Sequence, residues 1–274
     1  MKKVVVFGAG LVVRAHVRYL LEHGFAVTVA SRTVSKAEDI IDGHPNGNPM
    51  AYDVTKEPER LAAIIADHDL AVSLLPWQYH AQVARACLDE GKHMVTTSYV
   101  KDDMMALDAE AKEKGIILFN ELGVDPGIDH MTAMQVIDRV HEGGGQITTF
   151  QSYCGGLPAP EANDNPYGYK FSWSPRGVLL AGLNNARFRR DAAVRDVPGE
   201  ELFDNVWPVQ VAIEGADTAL EGYPNRDSMP YTEIYGIDPR EVMFRGTLRF
   251  PGWCEAMKRV ARLGWLRTDA IDGL

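Results

Sequence analysis

Short runs of β-branched residues alternate with amphipathic helical patterns over the first 119 residues of the chain. The first run, VVVF at 4–7, precedes a segment in which Val13, Val17 and Leu21 recur at helical spacing, and a second run, VTVA at 27–30, follows. A strand, a helix and a strand in this order form a βαβ unit. Three later apolar runs, LAVSLL, HMVTT and IILF, continue the pattern. Strands this apolar are buried on both faces, so we predict an α/β fold with a doubly wound parallel sheet covered by helices.

A second domain is predicted to begin near Asp125. The alternation stops after Asn120, and 274 residues with 46% hydrophobic content exceed the usual size of one compact unit. Asp125-Pro126 predicts a helix start, with Asp as the N-cap and Pro at the first helical position. We therefore expect domains at 1–125 and 126–274, the second of α/β (α+β) type. Its predicted elements are a strand near 147–153, a helix near 176–188, a strand at 241–250 and a helix at about 253–263.

Composition and charge argue against several classes of partner. The formal net charge is −10 and no basic patch is visible, so we expect no nucleic-acid partner. No apolar run approaches the roughly 18 residues that cross a membrane. The amino terminus runs from MKK into a strand without a signal-peptide cleavage site, which favours a cytoplasmic protein with no membrane association. The three cysteines lie far apart and form no Cys/His pattern, so we expect neither a disulfide framework nor a metal site.

Residues 152–177 fit neither a helix nor a strand. This segment contains four Gly, four Pro and five aromatic residues. It is too long for a simple connector and too aromatic for a disordered segment, so we interpret it as a surface that packs on itself and meets a ligand. Cys154 lies inside this segment and has two interpretations, a small core residue or a site residue. Cys87 and Cys254 occur at helical spacing with apolar neighbours and are predicted to be packing residues.

Gly8-Ala9-Gly10 directly follows the first strand and opens the first helix. This is the context of a dinucleotide-binding turn, in which two glycines let the backbone turn tightly and let pyrophosphate approach the helix N-terminus. Val13 stands where the third glycine of the fingerprint is usual. The turn therefore predicts nucleotide binding, with a plain tight turn as the alternative.

The end of the second strand indicates which nucleotide is bound. An NAD site places Asp or Glu about 20 residues past the glycines, whereas this chain has Ser31-Arg32-Thr33. A guanidinium and two hydroxyls accept a 2′-phosphate, which a carboxylate repels, so we predict NADP. The alternative is a solvated Arg at a helix start. Asp53-Val54 and Leu75, which follow the third and fourth strands, are predicted to contact the adenine and the nicotinamide side, unless they are only turn residues.

Polar residues follow the later strands at the edge where open α/β sheets bind ligands. Ser98-Tyr99 and residues 120–125 are the catalytic candidates there. Asp125 has the helix N-cap as an alternative role, and Tyr99 is alternatively a half-buried aromatic at a strand end. His80 is interpreted as a packing or capping residue of the helix that starts there.

Arg226 and Arg245 are the strongest anion-binding candidates of the second domain. A guanidinium matches a carboxylate with two parallel hydrogen bonds, and an acidic protein needs individual arginines to hold a dianionic substrate. A surface ion pair is the alternative for each.

These residues lie in motifs that resemble the saccharopine dehydrogenase (NADP, L-glutamate-forming) family, also called saccharopine reductase. The resemblance covers essentially the whole chain, with its motifs in the family's order and spacing. The motifs are YDVT at 52–55, VTTSYV at 95–100, NELGVDPGIDH at 120–130, SYCGGLPAPEANDNPYGYKFSWSPRGVLLA from 152, YPNRDS from 223 and FRGTLRF from 244.

The resemblance implies a Rossmann domain that binds NADP, a second domain that closes over it, and saccharopine in the cleft. The implied cofactor contacts are Gly8, Gly10, Leu11 and Val12 with pyrophosphate, Ser31, Arg32 and Thr33 with the 2′-phosphate, Asp53 and Val54 with adenosine, and elsewhere on the cofactor Leu75, Val124 and Trp173. The implied substrate contacts are Ser98, Tyr99, Asp125, Arg226 and the Arg245-Gly246-Thr247 turn. Tyr99, Asp125 and Cys154 are expected near the reacting C–N bond, with the identity of the base left open.

The implied activity is oxidation of the secondary amine of saccharopine. We expect hydride to leave the glutamyl α-carbon and water to open the imine to glutamate and α-aminoadipate semialdehyde, or the reverse reaction. Hydride leaves only a neutral amine, so a nearby group must accept a proton. Two other functions stay open, a related carboxyamine dehydrogenase such as a carboxynorspermidine-forming enzyme, and an NADP-binding module without catalysis.

Members of the family continue past the position of Leu274. They have more of the helical part and a segment that returns to the Rossmann sheet, so the resemblance implies that 126–274 is an incomplete substrate and dimerisation domain. It also implies a fragment or a shortened homologue, and it allows a homodimer.

Overall fold

The computed structural model describes residues 1–213 and 215–269. The chain divides into two compact units, Met1–His130 and Met131–Leu274, and each is described by itself. The expectations for the last five residues, 270–274, lie outside the described part.

The first unit is a six-stranded parallel sheet with helices. The strands are β1 (Lys3–Phe7), β2 (Ala26–Ser31), β3 (Gly47–Ala51), β4 (Leu70–Ser73), β5 (His93–Thr96) and β6 (Leu118–Phe119). The helices are α1 (Val13–Glu22), α2 (Val34–Ile41), α3 (Leu61–Ala66), α4 (His80–Asp89), α5 (Asp102–Met105) and α6 (Asp108–Lys114). The strand order is β3-β2-β1-β4-β5-β6, and every neighbouring pair is parallel, which confirms the predicted doubly wound α/β fold.

Burial on both faces of β1 explains why this sheet forms. Val4 and Val6 pack into one core cluster with α1, and Val5 and Phe7 pack into another with α4. Each such side chain contributes about 2 kcal/mol when it is fully buried. Cys87 of α4 lies in the second cluster, where burial raises the pKa of its thiol to about 12, so its interpretation as a packing residue is confirmed.

The second unit is built around a mixed sheet. Its elements are α7 (Ile128–Glu142), which crosses the boundary, β7 (Thr149–Cys154), α8 (Pro175–Ala181), β8 (Ala186–Arg190), β9 (Ala193–Val197), β10 (Trp207–Ile213), β11 (Ala216–Pro224), α9 (Tyr231–Ile234), β12 (Val242–Arg249) and α10 (Trp253–Arg262). The path β10-β11-β12-β8-β9 is antiparallel, and β7 joins β12 in parallel.

Strand β12 is the centre of this unit. Phe244 packs in a cluster with α10 and the aromatic residues of β8, β10 and β11, whereas Met243 packs in a separate cluster with α7 and α9. The strand is therefore buried on both faces, like β1. Cys254 of α10 is buried in the first of these clusters, as predicted.

Three predicted elements differ from the structure. Helix α7 begins at Ile128, so the expectation that Asp125 is its N-cap is wrong; the Gly123 N–H donates to the Pro126 carbonyl, and this turn precedes the helix. The helix expected near 176–188 ends at Ala181, because the chain turns and pairs as β8. The sequence also predicts one charged helix near 102–114, but this segment forms two short helices, α5 and α6. No helix in the described part of the chain is long and apolar enough to cross a membrane.

Candidate functional site

The turn after β1 is the candidate nucleotide site. Gly8 has a φ of +115°, and a Cβ on it would lie 2.8 Å from the Leu74 carbonyl oxygen, so a side chain does not fit there. A Cβ on Gly10 would meet no atom within 4 Å, so this side of the turn is open. The N–H groups of Leu11 and Val12 have no hydrogen-bond partner among the described residues. Helix α1 has no acidic residue in its first turn, so the turn fits an anion such as pyrophosphate.

The residues predicted to bind the 2′-phosphate follow β2. The Thr33 N–H donates to Ser31 Oγ at 3.3 Å, and the Arg32 side chain is exposed. Asp53, at the end of the neighbouring strand, accepts hydrogen bonds from the hydroxyl and N–H of Thr55. Those bonds lower the pKa of Asp53, with smaller contributions from nearby positive charges that include Arg32. Asp53 is thus a turn residue, and Val54 is buried in the core; their contacts with adenosine stay predictions.

A chain of hydrogen bonds links the carboxyl ends of β4 and β5. His80 Nδ1 lies 2.8 Å from Ser73 Oγ, and His80 Nε2 lies 2.8 Å from Ser98 Oγ and 3.3 Å from Thr96 Oγ1. His80 is buried at the start of α4, so its interpretation as a packing residue is confirmed, but no cap hydrogen bond comes from a side chain there. The link to Ser98 was not predicted. Burial lowers the pKa of His80 to about 4, so the ring is neutral at pH 7.

Tyr99 and Asp125 form a hydrogen-bonded pair. The Tyr99 hydroxyl donates to Asp125 Oδ1, and both side chains are half-buried. The residues are 26 positions apart, and they meet because the chain leaves β5 and β6 at the same edge of the sheet. Such a pair joins a carboxylate acceptor to a phenol donor, so it can hold or transfer a proton.

Glu121 supports the segment that carries this pair. Glu121 Oε1 accepts the Val100 N–H at 2.9 Å, and Glu121 Oε2 lies 3.1 Å from His130 Nε2. The Glu121 N–H donates to the Ser98 carbonyl at 3.1 Å. The residue has a φ of +60°, which is uncommon for a side chain larger than glycine. The sequence placed Glu121 among the catalytic candidates at 120–125, but its contacts with Val100 and His130 were not predicted, because they depend on how two loops meet.

In the second unit, Arg245 lies inside β12. Its side chain is 4% exposed, and its guanidinium carbon lies 4.3 Å from the centre of the Tyr231 ring. The backbone N–H of Arg245 donates to Ser228 Oγ at 2.9 Å. Arg245 is therefore not at the surface, where its alternative role placed it. Arg226 is exposed, with a φ of +58°.

The other residues predicted in this region take different positions. Gly246 and Thr247 belong to β12, so the expected turn at these residues is wrong. A Cβ on Gly246 would lie 2.3 Å from the Phe244 ring, so glycine is needed there. Cys154 ends β7 opposite Thr247 and is half-buried, so it is not the buried core residue of the alternative interpretation.

Residues 152–177 pack on the second unit. Tyr169 is buried, and its ring centre lies 4.6 Å from that of Trp253 and 5.3 Å from that of Phe171. A Cβ on Gly155 would lie 2.5 Å from the Leu248 carbonyl oxygen, so glycine permits the close approach of these two backbone segments. Trp173 is 48% exposed. The segment therefore packs on itself, as predicted, and its contact with a ligand stays a prediction.

Arg249 is a second buried arginine of β12, which sequence reasoning missed. It is 7% exposed, and its guanidinium carbon lies 4.9 Å, 5.6 Å and 6.0 Å from the ring centres of Tyr169, Trp253 and Tyr223. One guanidinium nitrogen donates to the Leu248 carbonyl, and Nε has no partner among the described residues. The available signal in the sequence was Trp253, four residues further along the chain.

An apolar groove of about 420 Å³ borders this set of residues at Asn120 and Glu121. It runs along β6, the last strand in the described order of the first sheet, beside α5 and α6, and its lining includes Met105, Ile117 and Phe119. Within the described residues, no three His, Cys, Asp or Glu side chains come together as a metal site.

Two family profiles match the chain. The saccharopine dehydrogenase NADP binding domain matches residues 4–119, and the saccharopine dehydrogenase C-terminal domain matches residues 123–273. Together they cover most of both units.

Individual relatives carry the same name. The chain is 46% identical over 268 residues to saccharopine dehydrogenase [NADP(+), L-glutamate-forming] of Pyricularia oryzae, covering 98% of this chain and 59% of the relative. It is 44% identical over 275 residues to the Schizosaccharomyces pombe protein of that name, covering 100% of this chain and 60% of the relative. The structure of apo saccharopine dehydrogenase (L-Glu forming) from Saccharomyces cerevisiae is similar with a TM-score of 0.86 and 39% identity, over 99% of this chain and 60% of that one. The chain thus spans about three-fifths of the length of these relatives.

Proposed function

Because the chain belongs to the saccharopine dehydrogenase family, we propose that it carries out the NADP-dependent, L-glutamate-forming reaction on saccharopine. In this reaction saccharopine, NADP⁺ and water give glutamate, α-aminoadipate semialdehyde, NADPH and a proton. The observation that carries the proposal is the Tyr99–Asp125 pair at the carboxyl edge of an NADP-binding sheet, because proton transfer must accompany the loss of hydride.

The cofactor fits the turn after β1. Gly8 shapes the turn, Gly10 leaves it open, and the N–H groups of Leu11 and Val12 are available to pyrophosphate. Arg32 is exposed at the end of β2, where it can bind a 2′-phosphate. When bound, NADP⁺ supplies the hydride acceptor for the reaction.

The products decide which carbon loses hydride. Nitrogen stays with glutamate, so the carbon that becomes the aldehyde is the one that is oxidised. That carbon is the ε-carbon of the lysyl arm of saccharopine. The expectation from the sequence that hydride leaves the glutamyl α-carbon is wrong, because oxidation at that carbon would release 2-oxoglutarate and lysine instead.

The Tyr99–Asp125 pair is proposed to receive the amine proton. The ammonium form of the substrate has no lone pair on nitrogen, so its proton must leave before hydride does. Asp125 accepts this proton, and the Tyr99 hydroxyl keeps the carboxylate oriented through its donated hydrogen bond. Water then adds to the imine carbon, and the pair is proposed to assist the proton transfers of hydrolysis.

Arg226 and Arg245 are proposed to bind substrate carboxylates. Saccharopine carries several carboxylates, whereas the protein has a net charge of −10, so local cations are needed. Arg245 is held against Tyr231, which fixes its guanidinium at low entropic cost on binding. Cys154, Ser98 and Thr247 are proposed as further contacts.

Stopped-flow measurement of NADPH formation by saccharopine tests this function. A stoichiometric rise at 340 nm is expected, and Asp125→Asn is expected to lower its rate by about 100-fold without weakening NADPH binding. A chain that binds NADPH but never oxidises saccharopine would favour the non-catalytic NADP-binding module. Faster turnover of carboxynorspermidine would favour the related carboxyamine dehydrogenase.

The homodimer and the cytoplasmic location stay predictions. Analytical ultracentrifugation of the purified chain tests the first, and fluorescence imaging of the tagged protein in its own cell tests the second.

A further inference from the structure

The hydroxyl of Ser98, proposed above as a substrate contact, lies against a buried histidine. His80 is 4% exposed and bridges Ser73 at the end of β4 and Ser98 just after β5. We propose that His80 is a positioning residue, whose Nε2–H fixes the Ser98 hydroxyl so that its hydrogen is available to a substrate carboxylate. The identity of the ligand, a carboxylate of saccharopine, rests on the proposed function. The arrangement of protons on Ser73, His80 and Ser98 rests on the structure alone.

Ser73 determines which ring nitrogen carries the proton. Its side chain is completely buried, and among the described residues its hydroxyl has His80 Nδ1 as its hydrogen-bond partner. A buried hydroxyl hydrogen without an acceptor is costly, so Ser73 donates and Nδ1 accepts. A neutral imidazole has one N–H, which is then on Nε2.

The Nε2–H has Ser98 Oγ as its nearer acceptor. This oxygen lies at 2.8 Å, whereas Thr96 Oγ1 lies at 3.3 Å. Because Ser98 Oγ accepts this bond, its own hydrogen is free to point elsewhere. A carboxylate only accepts hydrogen bonds, so a serine held in this way matches the charge and the lone pairs of a substrate carboxylate.

The backbone around Ser98 is held as well. The Ser98 carbonyl accepts the Glu121 N–H, and the Ser98 N–H lies 3.5 Å from Thr96 Oγ1. The contact with His80 restricts rotation of the Ser98 side chain and its hydroxyl group. Loss of this restriction is expected to weaken substrate binding by about 10-fold, the size of one ordinary hydrogen bond.

A pair of amide variants separates the two ring nitrogens. The amide of Asn occupies the place of imidazole Nδ1, and the amide of Gln occupies the place of Nε2. We expect His80→Asn to raise the KM for saccharopine about 10-fold with kcat changed less than about threefold. His80→Gln, which keeps an N–H donor near Ser98, is expected to restore most of the affinity. Equal KM values for the two variants would contradict the proposal.

Ser98→Ala provides the background that tests the route of the effect. If His80 acts through Ser98, His80→Asn is expected to add less than about twofold to the KM of Ser98→Ala, since one interaction cannot be lost twice. A full 10-fold addition would mean that His80 acts by another route. His68→Asn is the matched control, because His68 is also buried in the first unit, between Thr28 Oγ1 and the Ile64 carbonyl. It is expected to lower the melting temperature without raising KM.

Nitrogen-15 NMR of histidine-labelled protein provides a test that needs no turnover. We expect the His80 ring to be the neutral Nε2–H tautomer, and Ser73→Ala to shift it toward a mixture. A pure Nδ1–H tautomer in the wild-type protein would overturn the inference. If saccharopine neither binds nor reacts while the Nε2–H tautomer is found, the proposed function fails and the arrangement of protons stands.

Discussion

The two units hold their polar groups in different ways. In the first unit, the site residues lie where the chain leaves the strands, and hydrogen bonds join them, His80 to Ser98 and Tyr99 to Asp125. In the second unit, Arg245 and Arg249 lie inside β12, and aromatic rings cover them. A hydrogen bond determines which of its two atoms carries the proton. An aromatic ring face stabilises the positive charge of a guanidinium, but it leaves the N–H groups in the guanidinium plane able to donate to another group. We therefore propose that proton transfer belongs to the first unit and that the arginines of the second unit bind substrate carboxylates, alongside the Ser98 contact proposed above.

The two buried arginines offer the largest test of this division. Arg245→Met keeps the length of the side chain and removes its charge, so we expect kcat/KM for saccharopine to fall by about 100-fold, the size of a lost charge-assisted contact. Steady-state kinetics, with isothermal titration calorimetry of saccharopine binding, measures the effect.

Arg249→Met is the matched control in the same strand. Arg249 has a buried Nε without a partner among the described residues, so an apolar replacement is expected to change the free energy of unfolding by less than about 2 kcal/mol. Its kcat/KM is expected to stay within about threefold of wild type. Equal losses in the two variants would mean that burial of charge in β12 serves folding and not binding.

Cofactor choice should depend on the first unit through a single arginine. Arg32→Asp replaces the proposed 2′-phosphate ligand by a repelling carboxylate, so we expect NADPH affinity to fall by about 100-fold and NADH affinity to change little. Lys36→Asp, on the exposed side of α2, makes the same change in net charge and is expected to weaken both cofactors slightly and equally. Fluorescence titration with each cofactor measures the two affinities. If Arg32→Asp lost affinity for NADPH and NADH equally, Arg32 would not be the residue that selects NADP.

The first unit could be predicted from the sequence more completely than the second. Ser98, Tyr99 and Asp125 were identified because topology places strand ends at one edge of a parallel sheet. The bond between Ser98 and His80 could not be predicted, since it depends on how α4 packs against β4 and β5. The role of Asp125 as an N-cap was wrong because a turn closed by the bond from the Gly123 N–H to the Pro126 carbonyl precedes the helix.

In the second unit, the charged residues of β8 made this strand look like part of a helix. Residues 186–190, ARFRR, look like the polar face of a helix, but Ala186 and Phe188 are buried on one side of β8. This alternation was the available signal, although five residues are too few to separate it from helical spacing. Arg249 was missed because two of the three aromatic residues beside it, Tyr169 and Tyr223, come from distant segments, and Trp253 alone is near it in the sequence.

Substitutions at Gly8 and Gly10 are expected to affect different properties of the first unit, stability at Gly8 and NADPH binding at Gly10. Gly8→Ala places a Cβ 2.8 Å from the Leu74 carbonyl oxygen at a φ of +115°, so we expect a loss of about 2 kcal/mol in the free energy of unfolding. Gly10→Ala adds a methyl group in open space and is expected to leave stability unchanged, while it weakens NADPH about 10-fold by occupying the approach of pyrophosphate. Thermal unfolding and NADPH titration measure both. A stable Gly8→Ala protein with normal NADPH affinity would contradict the proposed turn.

The smallest expected effect is a pH dependence of stability that belongs to the first unit. Burial lowers the pKa of His80 to about 4, below its ordinary value of 6.5, so the unfolded chain takes up a proton as pH falls below 6.5 while the folded protein does not. Stability is therefore complete above pH 6.5 and decreases down to about pH 4, and His80 is expected to account for about 1 to 2 kcal/mol between pH 7 and pH 5. His80→Gln has no titrating ring, so its stability should lose this part of the pH dependence. The carboxylates are common to both proteins and contribute equally.

Hydrogen exchange measured by mass spectrometry separates the two units. The difference in stability between wild type and His80→Gln should appear in the amides of β1 and β4 and not in those of β12. A difference of the same size in the amides of β12 would mean that the two units unfold together, so that protonation of His80 destabilises both.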